Sequence, residues 1–287
     1  MKRLPLPDLD FFEVYEACVG EVMNADISNR FINVVDDLLA LAKEYQARAV
    51  ESELHLYKAS KWGNGDQIVI GGLTKTDLND LYSTYMVPAK RPARVYYDKL
   101  LNSAPLSKCP LCGFGHVSTL DHFMSKAYYP YFAVLPINLV PACADCNTKK
   151  ASSELMEHTQ SSHPYFESPE IENETWLFAY VVETSPVTAS FSANPPQHWS
   201  EKLCRRIKNH FFDLGLASRF AIEAASELAA LSDYLGVLGT SERIKEHLSM
   251  TANLERLQRR NTWKAALYEA LSQSAWYRDG GYKLPVV

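Results

Sequence analysis

Apolar residues recur at three- and four-residue spacing over most of the chain, the period of helices with one buried face. Within residues 8–58 the pattern is carried by FFEVYEACVGEV (11–22) and RFINVVDDLLALAKEYQARAV (30–50). The glycines of KWGNGDQIVIGG (61–72) break it into a loop with room for a short strand at Gln67–Ile70. TKTDLNDLYSTYMV (74–87) resumes the helical period, with Thr74 or Thr76 as N-cap and Pro88 barring continuation. RPARVYYDKLLNS (91–103) reads as a further short helix. Past the middle of the chain, SSHPYFESPEIENE (161–174) is polar and proline-bearing, which predicts a surface connection. TWLFAYVVETSPVTASFS (175–192) holds two β-rich runs around Ser185-Pro186, a hairpin pattern. From His198 to Gln273 the period is helical again, with breaks near Gly215 and Gly236–Gly239.

The helical period fails between residues 104 and 143. There VSTLDHF (117–123) and a stretch around Leu139-Val140 read as two short strands, and ADCNTKK starts a helix. Four of the six cysteines lie in or just past this interval, as the CxxC pairs Cys109/Cys112 and Cys143/Cys146. Two such pairs supply the four thiolates of a tetrahedral structural Zn²⁺, and LSKCPLCGFGH (106–116) has the form of a zinc knuckle. A four-thiolate site is closed, so its role is to hold a small ββα unit that cannot bury enough apolar surface alone. It also draws Asp121, His122, Asn138 and Asn147 towards one point.

Composition narrows the setting. With 287 residues and 47% hydrophobic content the chain can build a full core. The first 22 residues have no signal-peptide run and no stretch is apolar enough to span a bilayer, which predicts a cytoplasmic protein with no membrane partner. There thiols stay reduced and CxxC pairs favour metal over disulfide. Cys18 and Cys204, alone in helical patterns, read as buried core thiols. The net charge of −5 argues against general affinity for nucleic acid. Yet residues 89–151 carry 8 basic and 3 acidic side chains, between flanks with 8 and 14 (1–88) and none and 7 (152–196). The basic excess falls on the cysteine segment, where a phosphate backbone would dock.

Residues 105–151 closely resemble the HNH endonuclease family in its zinc-bound ββα-metal form, in an H-N-N variant. The resemblance implies that Asp121 and Asn147 bind a divalent Mg²⁺ or Mn²⁺, that His122 is the general base, and that Asn138 fixes the loop and orients His122. It implies structural zinc on Cys109, Cys112, Cys143 and Cys146. Ser125 stands where many relatives have proline. The chemistry makes sense of the set: a hard ion on one carboxylate and one amide oxygen keeps positions open for water and phosphate. A neutral imidazole can take a proton from water at physiological pH. Lys126, Lys149 and Lys150 are near enough in sequence to contact phosphates.

The expected architecture is α+β: a small zinc-bound ββα core (within 89–166) between an N-terminal helical region (1–88) and a β-hairpin with C-terminal helices (167–287). The expected function is metal-dependent cleavage of phosphodiester bonds in DNA. The general layout resembles bacterial HNH nucleases of anti-phage defence that act beside an ATPase, as in Septu-type systems, which implies a protein partner. A non-catalytic zinc module that docks a protein or nucleic acid is the main alternative, and an RNA-cleaving nuclease a third. His163 reads first as a loop-packing residue and His116 as exposed and idle. RLQRRNTWKAALYEAL (256–271) reads either as a basic helix on DNA or as an amphipathic helix with a solvated basic face, and Tyr96-Tyr97 beside Arg94 as packing on the ββα unit before stacking on bases.

Overall fold

A computed structural model describes residues 1–150 and 152–284. The chain is α+β and divides into two compact units, residues 2–167 and 168–287.

In the first unit, α1 (Phe11–Val19), α2 (Ala25–Asn33) and α3 (Val35–Val50) follow the apolar spacing of the sequence. Asp10 caps α1 by accepting from the Glu13 amide, and Asn24 caps α2 from Asp26 and Ile27. The glycine-rich loop yields β1 (Ile68–Ile70), paired antiparallel with β2 (Leu73–Thr74). Of the two candidate caps Thr74 is used, in a capping box with Asp77 that starts α4 (Lys75–Asp80). The helix then widens into a π-helical turn, Leu81–Met86, before Pro88, and α5 (Arg94–Leu101) follows.

The central ribbon pairs β3 (Thr119–His122) with β4 (Leu139–Ala142), Asp121 opposite Val140 and His122 opposite Leu139. Next comes α6 (Ala144–Lys149). This ββα unit is not self-contained. Leu120, Val134 and Leu139 share one buried cluster with Tyr15, Phe31, Leu38, Leu78, Met86 and Leu100 from the surrounding helices. About 0.8 kcal/mol per buried CH₂ favours that union over an exposed ribbon. Cys18 lies in the same cluster, wholly buried, and burial pushes its thiol up to about 12.

The structure corrects one expectation in this unit. Ser162, His163, Tyr165 and Glu167 are buried, so the first half of 161–174 is not a surface connection. The Pro164 carbonyl accepts from the Leu4 amide, and the Tyr165 hydroxyl donates to Leu139 O at 2.9 Å, which binds this polar segment to β4.

The second unit opens with α7 (Glu170–Asn173) and the expected hairpin, β5 (Leu177–Val182) paired with β6 (Thr188–Ala193) around a cis Ser185-Pro186 bond. Five helices follow: α8 (Glu201–Asp213), α9 (Leu216–Leu238), α10 (Ser241–Gln258), α11 (Trp263–Gln273) and α12 (Ala275–Arg278). Phe220, Ala224, Leu228, Leu231 and Leu235 form the buried stripe of α9, which packs on β6, while α11 packs on β5. Gly215 (φ 58°) and Gly239 (φ 77°) bound α9, whereas Gly236 lies inside it. Cys204 is only half-buried.

Here too the sequence reading needs correcting. Residues 256–271 are not one basic helix, because α10 ends at Gln258 and α11 begins at Trp263. Asn261 is buried in the break. Its Oδ1 accepts from the Trp176 and Leu177 amides, and its Nδ2 donates to Ile171 O and Glu174 O. Thr262 then caps α11 from the Ala265 amide. Arg256 is held inward by Glu269, Thr175 and the Arg260 carbonyl.

Candidate functional site

The knuckle Cys109-Pro110-Leu111-Cys112-Gly113 turns back on itself, with the Gly113 amide donating to Cys109 O and the Cys109 amide to Gly115 O, both at 2.8 Å. Gly113 has φ 85°, a conformation that disfavours any side chain with a Cβ. Gly115 matters for a different reason. A Cβ there would lie 2.9 Å from Cys143 Sγ and 3.3 Å from Cys112 Sγ, while its amide donates to Cys112 Sγ at 3.3 Å. A substituent would fill the space of the sulfur cluster. The second pair follows the end of β4 at the same end of the ribbon, where Ala142 lies opposite Thr119, with Cys143 as N-cap of α6 and Cys146 one turn in.

The four sulfurs lie within 4.8 Å of one another, and all four cysteines are buried. Cys112 and Cys143 Sγ stand 3.9 Å apart, against about 3.8 Å between ligands of a tetrahedral site with Zn–S near 2.3 Å. Hydrogen bonding, from Cys109 foremost, pushes the thiols of Cys112 and Cys143 down, while Cys109 is pushed up chiefly by Cys112 and Cys146 chiefly by Cys109. Sulfurs that share protons in this way favour a divalent cation, which relieves the crowding once all four are thiolates. The cluster can hold a structural metal such as zinc.

On the ribbon, His122 is half-buried and its Nε2 lies 2.8 Å from Ala133 O. A carbonyl only accepts, so Nε2 carries the proton and Nδ1 keeps its lone pair. Burial foremost, and the cations of Lys126 and Lys150, push the imidazole well below its usual range, against the raising influence of the Ala133 carbonyl. The ring is therefore neutral at physiological pH. Tyr82, on the π-helical turn, packs edge-on against it with centroids 4.5 Å apart.

Asp121 is 6% exposed, and burial lifts its carboxyl while Lys150 pulls it back. The Lys150 ammonium donates to Asp121 Oδ2 at 2.7 Å, to His122 O at 2.9 Å and to Phe123 O at 3.0 Å. Asn147 Nδ2 donates to Thr119 Oγ1 at 3.2 Å, which leaves its amide oxygen as the free end. Thr119 and Asp121 lie two residues apart on β3 and share one face, about 7 Å apart. Asn147 is thus anchored on the strand that carries Asp121, two residues away, and the donors these two residues have for a hard cation are one carboxylate and one amide oxygen. That donor set suits Mg²⁺, which keeps several of its waters. Among the described residues the four cysteines are the cluster of three or more His, Cys, Asp or Glu ligands, so such an ion would have few protein ligands.

Asn138 is completely buried. Its Oδ1 accepts from the Met124 amide at 2.7 Å and the Tyr45 hydroxyl at 3.0 Å. Its Nδ2 donates to Met124 O and Phe132 O, both at 3.1 Å. Every polar position of the amide is used, and the loop between the strands is closed at both ends.

The lysines differ among themselves. Lys149 is exposed, Lys126 lies over the Tyr82 ring at 5.4 Å, and Lys150 is committed to Asp121 and two carbonyls. His116 is exposed beside Lys108, and Tyr97 is buried under the Arg94 guanidinium at 4.5 Å. Sequence reasoning missed Tyr45 and Tyr82, which look like ordinary members of helical stripes, and it gave Lys150 no structural part. Only the non-local fold brings them to the site.

No protein-family model matches the chain, and no solved structure matches it. A curated relative does: the chain is 31% identical, over 293 aligned positions, to Protein ea31 of Escherichia phage lambda, spanning 96% of this chain and 98% of that protein. None of the helices among the described residues is long and apolar enough to cross a membrane.

Proposed function

We propose that this chain, which belongs to the family of phage lambda Protein ea31, is a divalent-metal-dependent endonuclease of the HNH type that hydrolyses phosphodiester bonds in DNA. The observation that carries the reading is the imidazole of His122: neutral, proton fixed on Nε2 by Ala133 O, and next in sequence to a nearly buried carboxylate. Its bare Nδ1 takes the proton of an attacking water. Asp121 and the amide oxygen of Asn147 hold the divalent ion, and Asn138 secures the loop that aims the ring. A bound Mg²⁺ or Mn²⁺ would supply charge neutralisation at the phosphate and its leaving oxygen. Lys149, exposed at the end of α6, and Lys126, over the Tyr82 ring, would contact the flanking phosphates. The four cysteines hold zinc as scaffold and take no part in the chemistry. The name of the phage relative carries no word on defence or on an ATPase partner.

One contact favours a second reading, a zinc module that docks nucleic acid or a protein without cutting. Lys150 already gives Asp121 a cation at 2.7 Å, and a lysine in that place can satisfy the carboxylate without a metal. Zinc-loaded protein incubated with labelled single- and double-stranded DNA and RNA, with Mg²⁺ or Mn²⁺ and with EDTA, separates the readings. Metal-dependent cutting of duplex DNA supports the nuclease. Cutting confined to the RNA arms moves the substrate, and binding without cutting in every arm favours the docking module.

A further inference from the structure

The segment that sequence reading left on the surface and a helix from the far N-terminal end meet behind Asn138. Tyr45, on α3, is wholly buried and 93 residues distant from Asn138 in sequence. Its hydroxyl lies 3.0 Å from Asn138 Oδ1 and 3.1 Å from His163 Nε2. His163 Nδ1 lies 3.3 Å from the Tyr165 amide, and its ring stacks on Phe123 with centroids 3.9 Å apart.

The direction of each hydrogen bond follows from what each group can do. Asn138 Oδ1 only accepts, so the single Tyr45 proton points to it. The Tyr45 oxygen must then accept from His163, which requires a proton on Nε2. The Tyr165 amide only donates, which requires a lone pair on Nδ1. Both ends of His163 give the same neutral tautomer, and burial first, then Lys150, holds the ring well below its usual range. Burial likewise keeps the Tyr45 phenol protonated. The chain therefore runs one way: Tyr165 N–H to His163, His163 N–H to Tyr45, Tyr45 O–H to Asn138. Asn138 in turn holds the carbonyl of Phe132, one residue before the Ala133 carbonyl that receives the His122 proton.

We propose that Tyr45 and His163 are positioning residues: an ordered relay from outside the ββα unit that fixes the 132–133 backbone and, through it, the tautomer and aim of His122. The proposal rests on the reading of His122 as the base, but its first readout does not depend on cleavage. Tyr45→Phe deletes the one hydroxyl that joins the relay to Asn138. Tyr57→Phe is the matched control. That hydroxyl donates to Leu41 O and that ring packs on Phe132 at 5.0 Å, while the four hydrogen bonds of the Asn138 amide go to Tyr45, Met124 and Phe132.

Nitrogen-15 NMR of the histidine rings in the zinc-loaded protein tests the relay directly. Wild type and Tyr57→Phe are expected to show His122 protonated on Nε2 alone, and Tyr45→Phe a mixture of both tautomers. In parallel, kcat of Tyr45→Phe on duplex DNA is expected to fall about 10- to 100-fold, the scale of a misplacement near 1 Å, with KM unchanged. A His122 that stays wholly Nε2-protonated in Tyr45→Phe, or equal losses in Tyr45→Phe and Tyr57→Phe, overturns the positioning role and leaves the nuclease reading standing. A tautomer mixture in Tyr45→Phe from a wild type that cuts nothing supports the relay and removes the nuclease reading.

Discussion

Two buried asparagines, one in each unit, do the same mechanical work with different consequences. Asn261 closes the break between α10 and α11 against the start of the hairpin, and all four of its bonds go to backbone groups. Asn138 closes the loop between β3 and β4, but one of its four partners is a side chain, Tyr45, which leads on to His163. The first clamp is finished locally. The second is tied through Tyr45 to α3 and to the His163 segment, and stands one residue from the carbonyl that sets the state of His122. A fully bonded buried amide is thus evidence of rigidity by itself, and becomes evidence of chemistry only through what its loop presents.

The widest separation of the two regions comes from metal. Apparent zinc affinities in small domains reach about 10–16 kcal/mol, and that energy is folding energy. Cys109→Ser or strong chelation should unfold the ββα unit and the helices that share its core, while the melting of residues 168–287 persists. Hydrogen exchange followed by mass spectrometry checks this: protection lost across 109–147 and kept across the hairpin is the expected pattern.

Truncating each clamp is the next largest effect. Asn138→Ala and Asn261→Ala each orphan buried backbone groups at about 1–3 kcal/mol apiece, so each should lose several kcal/mol in urea unfolding. The comparison is sharpened by activity. Asn138→Ala should also lose cleavage under conditions where it remains folded, whereas folded Asn261→Ala should cut at the wild-type rate.

Acid distinguishes the clamps more gently. His163 is buried neutral, so its folded-state affinity for protons is depressed while the unfolded chain binds one near pH 6.5. Its contribution to stability is complete above that pH and is lost as pH falls below it, by up to about 1.4 kcal/mol per pH unit until the folded ring itself protonates. Denaturation at pH 7.5 and pH 5.5 should show a slope that His163→Gln flattens. Asn261 has no titrating partner, so Asn261→Ala should leave the slope as it is. The smallest effect belongs to Tyr82→Phe. The hydroxyl reaches Leu120 O only at 3.5 Å, and the ring that packs on His122 is kept, so a change under about 1 kcal/mol is expected in thermal melting.

What could be read in the sequence was local. The two CxxC pairs, the Asp121-His122 pair on its strand, the hairpin turn at Ser185-Pro186 and a cap at Thr74 or Thr76 all announce themselves within a few residues of spacing. What could not be read was decided by distant packing. Tyr45 occupies a position of α3 that any aromatic residue could fill, and only the loop 93 residues later turns its hydroxyl into a contact. His163 lies in a polar, proline-bearing stretch whose composition predicts exposure, and its burial comes from pairing with residue 4 and β4. Lys150 looks like one of several basic residues near a helix end, until α6 brings it to Asp121. Asn261 interrupts a run with continuous helical spacing because the hairpin strand needs its amide.

In the proposed nuclease, His122 is the base of a hydrolytic centre framed by the cysteine cluster. Nicking of supercoiled plasmid by zinc-loaded protein with Mn²⁺ measures this most directly, with wild type, His122→Ala and Asn261→Ala side by side. The expected result is nicking that EDTA abolishes, that Asn261→Ala retains and that His122→Ala slows by about 10²- to 10⁴-fold, the usual worth of a positioned base. Equal nicking by wild type and His122→Ala would contradict the assignment.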